Sequence, residues 1–261
     1  VKSAVLLAAL QAEGPTRIFQ HVETRDHTER LLRHMASELT LDGSCLVLSP
    51  NQPLRSLNLS IPGDPSSAAF FAVGAAIHPD SDVLLEGICL NPHRIRFLEV
   101  LSEMGADVTC RSVVPGDWEP RGDVRVRGAR LRGVTIGPEV VPGLIDEIPA
   151  LAVAMAVAEG ESHISGAAEL RLKESDRIAV LVRELKRFGV PVLERGDGLT
   201  ITGGTPLKAP VHSLPSGDHR LVMALAILGT AAEGTTRIRQ AECVRVSFPE
   251  FDTLLKQISR G

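Results

Sequence analysis

One phrase recurs along the 261-residue chain: an Ala/Leu-rich helix, a turn, a short strand, a polar loop and a second, amphipathic helix. It opens as Val5-Leu6-Leu7-Ala8-Ala9-Leu10, stops at Ala12-Glu13-Gly14 and passes to a strand at Thr16 to Phe19. It returns at Leu151 to Gly160 before His163-Ile164, and at Leu225 to Gly234 before Thr236 to Ile238. A looser copy runs Ala68 to Ile77, turns at Pro79-Asp80 and continues Val83-Leu84-Leu85. In each, Gly or Pro-Asp supplies the turn chemistry that ends a helix and starts a strand. Second helices are expected over Thr24 to Met35, Pro92 to Met104, Ser175 to Phe188 and Phe248 to Ile258, and closing strands at Thr109 to Val114, Val124 to Val126 and Leu199 to Thr202. Four imperfect copies at a period of roughly 65–80 residues describe an α/β protein whose units share cores, with a period too long for the common solenoids. The Ala-rich first helices have few polar positions and are expected to form the interior.

At 44% hydrophobic the chain can bury a sizeable core, as two domains or one large one. Turn signals and the start of a new copy coincide at Ile61-Pro62-Gly63-Asp64-Pro65, which places a boundary there, with domains at 1–61 and 62–261. A net charge of −4 with no basic run argues against a nucleic-acid partner. Cys45, Cys89, Cys110 and Cys243 show neither CxxC spacing nor a His cluster, so no metal site and no disulfide framework is expected, and a reduced, cytoplasmic setting is the default. No apolar run approaches about 18 residues, which argues against a membrane span.

Charge is concentrated where an apolar helix begins. Arg171-Leu172-Lys173-Glu174-Ser175-Asp176-Arg177 runs into a helix whose stripe is Ile178, Leu181, Val182, Leu185 and Phe188, with Gly189 placed to end it. Unpaired N–H groups and the positive end of the helix dipole favour an anion there, beside two cationic side chains. The plainer reading makes Ser175 or Asp176 a helix cap and leaves the other charges solvated. Equivalent loops carry Thr24-Arg25-Asp26-His27 and Asn91, His93 and Arg94; if the copies pack with equivalent ends together, these charges converge on a cleft. Asp146-Glu147 and Asp218-His219-Arg220 precede two further apolar helices. Taken alone, Asp146 and Asp218 read as caps, whereas Arg220 opposes the dipole unless an anion is near. Arg25, Lys173, Arg177 and Arg220 thus stand as anion ligands, with Asp146 and Glu174 as acid or base, a set suited to a phosphorylated or carboxylated substrate and proton transfer. Walker, Rossmann and Gly-x-Ser-x-Gly motifs are absent from the sequence.

Lys173-Glu174-Ser175-Asp176-Arg177, Asp218-His219-Arg220, Ile145-Asp146-Glu147-Ile148-Pro149 and Arg25-Asp26-His27-Thr28-Glu29 together closely resemble the 5-enolpyruvylshikimate-3-phosphate synthase family, in order from Val1 to Ser247-Phe248-Pro249-Glu250-Phe251. The resemblance implies the enolpyruvyl transferase fold, an inside-out α/β barrel of six βαβαββ-type units in two domains, of which this chain supplies about four. It also implies transfer of the enolpyruvyl group from phosphoenolpyruvate to the 5-hydroxyl of shikimate 3-phosphate, with no metal or organic cofactor. By motif position, Asp146 resembles the carboxylate that takes the hydroxyl proton and a substrate contact, and Glu174 the group that handles the methylene proton. Arg177 and Arg220 resemble the phosphoenolpyruvate clamp, and Lys173 and Arg25 the contacts to shikimate 3-phosphate.

The sequence departs from the family pattern in two places. Val246 stands where many relatives have a lysine, with Arg245 one residue earlier. The family's Ser-Ala-Gln motif is expected just before Val1, and its N-terminal lysine, arginine and glycine motifs are not in this sequence, so the chain is expected to be truncated, inactive alone, and partnered by the missing segment. Competing readings are the sister transferase acting on UDP-N-acetylglucosamine, which lacks the Lys-Glu-Ser-Asp-Arg pattern, and a non-catalytic fragment retaining the fold.

Overall fold

Nine of the ten residues of one helix, Ile148–Val157, are buried, and the rest of the fold is arranged around it. The computed structural model describes residues 1–21, 24–114 and 118–259. The first unit is α1 (Lys2–Ala9), β1 (Thr16–Phe19), α2 (His27–His34), β2 (Leu39–Asp42) and β3 (Cys45–Leu48). The second is α3 (Pro65–Ala76), β4 (Asp82–Cys89), α4 (Arg96–Met104), β5 (Asp107–Val114) and β6 (Arg121–Arg127). The third is β7 (Thr135–Ile136), α5 (Ile148–Val157), β8 (Gly160–Ile164), α6 (Arg177–Arg187), β9 (Val192–Arg195) and β10 (Gly198–Gly203). The fourth is β11 (His212–Ser213), α7 (His219–Thr230), β12 (Arg237–Ile238) and α8 (Phe251–Ile258).

The repeat is one of topology as well as sequence. In three units the last strand lies between the other two, giving the orders β1-β3-β2, β4-β6-β5 and β8-β10-β9, all antiparallel. A short parallel lead-in precedes the later units: Gly63 beside Ile88, β7 beside β8, and β11 beside β12. That is the βαβαββ pattern, with the sheets outside and α3, α5 and α7 packed on one another within. Alanine lets helix axes approach closely at little loss of helix propensity, so apolar helices with few polar positions settle in the centre.

Glycines record the same repeat. A Cβ on Gly128, after β6, would lie 1.7 Å from the His78 carbonyl oxygen behind α3, and one on Gly203, ending β10, 2.2 Å from the Met155 oxygen in α5. Only a residue without Cβ lets strand and helix end meet there.

The apolar core falls into two clusters. One spans Ala68 to Phe251; the other holds Leu6, Ala9, Leu32, Leu39, Leu46 and Leu48. α1 departs from the expectation of burial: only Leu6 and Ala9 are inside, while Val5 and Leu7 are exposed. Its described neighbours are chiefly α2 and β1, on one side, whereas α5 is wrapped by α3, α4, α6, α7 and β10. The Ser247-Phe248-Pro249-Glu250-Phe251 segment serves packing, with Phe248 and Phe251 edge-on or tilted against Phe70 and Phe71 of α3. Arg245 and Val246 before it are exposed.

Candidate active site

Asp146 sits one residue ahead of the α5 N-cap and does not cap the helix; Glu147 takes that position and makes no side-chain cap bond either. The expectation that Asp146 serves as an ordinary cap therefore gives way to a different arrangement. Its Oδ2 accepts from Arg25 Nη2 at 2.7 Å and lies 3.6 Å from Arg220 Nη2, and its Oδ1 lies 3.5 Å from Arg177 Nη1. Arg220 Nη1 also donates to the Asp146 carbonyl at 3.3 Å. Three guanidinium groups, from the loop before α2 and the first turns of α6 and α7, thus meet one carboxylate. Burial alone would raise the Asp146 carboxyl, but Arg220, Arg25 and Lys173 outweigh it and hold the group below its ordinary value.

Arg177 is 1% exposed, so its partners decide whether the charge can be there. Nε donates to Asp218 Oδ2 at 2.8 Å and Nη2 to Glu174 Oε2 at 2.5 Å, while Nη1 makes no hydrogen bond among the described residues. Asp218, fully buried, does three things: it receives Arg177, it accepts from Ser175 Oγ at 3.2 Å, and it caps α7 by accepting the Arg220 N–H at 3.0 Å. Asp176 caps α6 by accepting the Ala179 N–H, as the plainer reading of this stretch expects, but Arg177 is buried rather than solvated. Lys173 Nζ bonds Glu169 at 2.6 Å on the outer side, and Glu174 is half-exposed.

A second polar group lies behind the first. Asn91 Nδ2 donates to Asp26 Oδ1 at 2.7 Å and to Glu119 Oε2 at 3.0 Å, and His27 Nδ1 lies 2.5 Å from Glu119 Oε1. Arg94 reaches His27 Nε2 at 3.2 Å, Asp64 at 2.9 Å and Ser66 Oγ at 2.8 Å. These contacts clamp the Arg25-Asp26-His27 loop on the second unit and so place Arg25 opposite Asp146. The donor atoms of His27, Cys89 and Glu119 come within 4.8 Å of one another, as metal ligands would. Hydrogen bonds already engage both His27 nitrogens and both Glu119 oxygens, and Arg30 lies 3.9 Å from Glu119, so the set reads as a hydrogen-bonded bracket. Glu119 and Ser66 escaped the sequence reading because their partners His27, Asn91 and Glu147 lie 28 to 92 positions away. The only available signal was Glu147 beside Asp146, at the start of an otherwise apolar helix.

The sequence model of EPSP synthase (3-phosphoshikimate 1-carboxyvinyltransferase) matches residues 1–255. The 3-phosphoshikimate 1-carboxyvinyltransferase of Desulforamulus reducens is 46% identical over 258 residues, covering 99% of this chain and 60% of the relative; that of Thermosynechococcus vestitus is 48% identical over 261 residues, covering 99% and 59%. EPSP synthase from Acinetobacter baumannii superposes with a TM-score of 0.92 at 40% identity, covering 98% of this chain and 59% of the other. The enolpyruvyl transferase NikO from Streptomyces tendae, at 18% identity, shares the fold, with a TM-score of 0.79. The chain spans about 60% of the length of the curated relatives it matches. By sequence and by fold alike, this chain belongs to the EPSP synthase family.

Proposed function

We propose that the chain carries the acid–base part of an enolpyruvyl transfer from phosphoenolpyruvate to the 5-hydroxyl of shikimate 3-phosphate, with release of phosphate, in the cytoplasm. The observation that carries this reading is the Asp146 carboxylate ringed by Arg25, Arg177 and Arg220, with Glu174 bonded to Arg177. Glu174 protonates the methylene carbon, the resulting oxocarbenium-like centre is attacked by the hydroxyl, and Asp146 takes the hydroxyl proton. Glu174 then takes back a methyl proton as phosphate leaves, which restores the enol ether. The arginines hold two anions together against their repulsion, Arg177 and Arg220 on phosphoenolpyruvate, Arg25 and Lys173 on shikimate 3-phosphate. The two-cluster core and the turn signals support a domain boundary near residue 61.

Because the chain spans about 60% of its relatives' length, the remaining segment is a required partner in this proposal, and residues 1–261 alone are expected to show no turnover. Phosphate release is measured with phosphoenolpyruvate plus shikimate 3-phosphate, and again with UDP-N-acetylglucosamine as acceptor, for the whole protein and for this chain with and without the added segment. In the whole protein, release with only the second acceptor, or with neither, overturns the assignment, and full release from this chain alone overturns the need for the added segment.

A further inference from the structure

Next to Asp146 stands a carboxyl that the proposed mechanism leaves unused. Glu147 is 1% exposed and forms no ion pair among the described residues. Its Oε1 is bonded to Ser66 Oγ, at the first turn of α3, and its Oε2 is buried without a hydrogen-bond partner among the described residues. Ser66 Oγ also accepts from Arg94 Nη2 at 2.8 Å, and Arg94 is taken up by Asp64 and His27. Two neighbouring carboxyls thus have opposite surroundings: Asp146 meets three guanidiniums, Glu147 one hydroxyl. Burial lifts Glu147 above its ordinary value, and the Ser66 bond and the more distant Arg25 and Arg94 do not reverse it, while the Asp146 charge adds to it. A carboxylate so placed would be a buried charge without a counter-ion, whereas the neutral acid leaves one buried oxygen unpartnered, the smaller cost.

We propose that Glu147 is a positioning residue working as a neutral carboxylic acid: it fastens the turn ahead of α5 to Ser66 and so fixes Asp146 among Arg25, Arg177 and Arg220. The inference rests on the reading of Asp146 as the base. The groups facing Glu147 are Ser66 from α3, Arg94 from the loop before α4, Arg25 from the loop before α2, and Asp146 in its own turn; Asp64, the cap of α3, is bonded to Arg94.

Protonation is read on this chain by the infrared difference between the wild type and Glu147→Gln at neutral pH, which shows a protonated-carboxyl stretch lost in the variant; its absence overturns the proposal. Positioning is read from the Asp146 titration, followed by carbon NMR of labelled aspartate. Glu147→Gln, an isostere of the neutral acid, leaves it in place. Glu147→Ala moves it up by about one pH unit as the carboxylate drifts from its arginines. Glu147→Asp, one methylene shorter, repeats the test should the alanine variant not fold. An unmoved titration in both shortened variants makes Glu147 a packing residue. In the whole enzyme the same variants should split, with kcat and its acid limb unchanged for Gln, and kcat lowered at least about tenfold for Ala at nearly constant KM. Absence of turnover in the wild type would sink the functional reading alone, since the infrared and NMR results do not depend on it.

Discussion

Arg177 and Asp218 meet inside the protein, Nε to Oδ2 at 2.8 Å, with side chains 1% and 0% exposed. The same aspartate caps α7 through the Arg220 N–H, so one carboxylate holds the Arg177 side chain of the third unit and caps the helix that carries Arg220 in the fourth. Removing one partner of a buried pair leaves the other charge uncompensated. Asp218→Ala is therefore expected to cost about 3–5 kcal/mol, and the lost cap adds about 1 kcal/mol. Urea denaturation of this chain measures it, and a loss under about 1 kcal/mol would mean that Arg177 finds other partners.

Glu174 is half-exposed and bonded to Arg177, and the proposed mechanism makes it the group that handles the methylene proton. In the whole enzyme, Glu174→Gln is expected to lower turnover at least about a hundredfold, with binding of shikimate 3-phosphate preserved. Turnover near that of the wild type removes Glu174 from the chemistry.

Arg220 tests the clamp more cleanly than Arg177, because truncating Arg177 also strands Asp218. Each charge-assisted contact is worth about 1.5–3 kcal/mol, so Arg220→Ala should weaken phosphoenolpyruvate binding by roughly 10- to 150-fold. Arg177→Ala should do the same with an added loss of stability. Calorimetric affinities that do not change in either variant would make both arginines structural.

The helical repeat was legible because it is local. Small apolar residues in a row, Gly189 with φ +88° after α6, and Asp176 as its cap are each decided within a few positions. The charged loops were legible too, since equivalent ends of repeated units come together, and Arg25, Asp146, Arg177 and Arg220 are in contact. What stayed hidden is long-range. His27 and Glu119 are 92 positions apart, Ser66 and Glu147 81, and no local pattern announces either bond. The Asp146 cap reading failed because side-chain direction, which sequence does not give, sends the carboxylate to three arginines rather than to its own helix.

Asp146 also makes a prediction about pH. Its folded value is depressed, so the stability it contributes is fully present above the ordinary carboxylate value of the unfolded chain and is lost as pH falls through the folded value. Asn cannot titrate. The stability of the wild type relative to Asp146→Asn should therefore decline on acidification, as read from denaturation curves at several pH values. A difference independent of pH would show that the arginines do not favour the charged form.

The last prediction concerns the backbone that carries the site. A Cβ on Gly203 would lie 2.2 Å from the Met155 oxygen and 2.3 Å from the Ala158 oxygen, both backbone atoms at the end of α5, which cannot swing aside as a side chain would. Gly203→Ala must push β10 from α5 or shift α5 along its axis, and overpacking of this kind costs about 1–3 kcal/mol or more. Gly196, in the turn before β10, has nothing within 4 Å of the same added atom. Gly196→Ala should therefore be close to neutral, or stabilising by about 0.4–1 kcal/mol through the unfolded chain. Both are measured by denaturation of this chain. Because Asp146 stands just ahead of α5, a shifted helix should also alter its contacts, so that Gly203→Ala moves the Asp146 carbon-NMR titration while Gly196→Ala does not. If the two variants behave alike, close approach of strand and helix end is not what requires glycine at this point of the repeat.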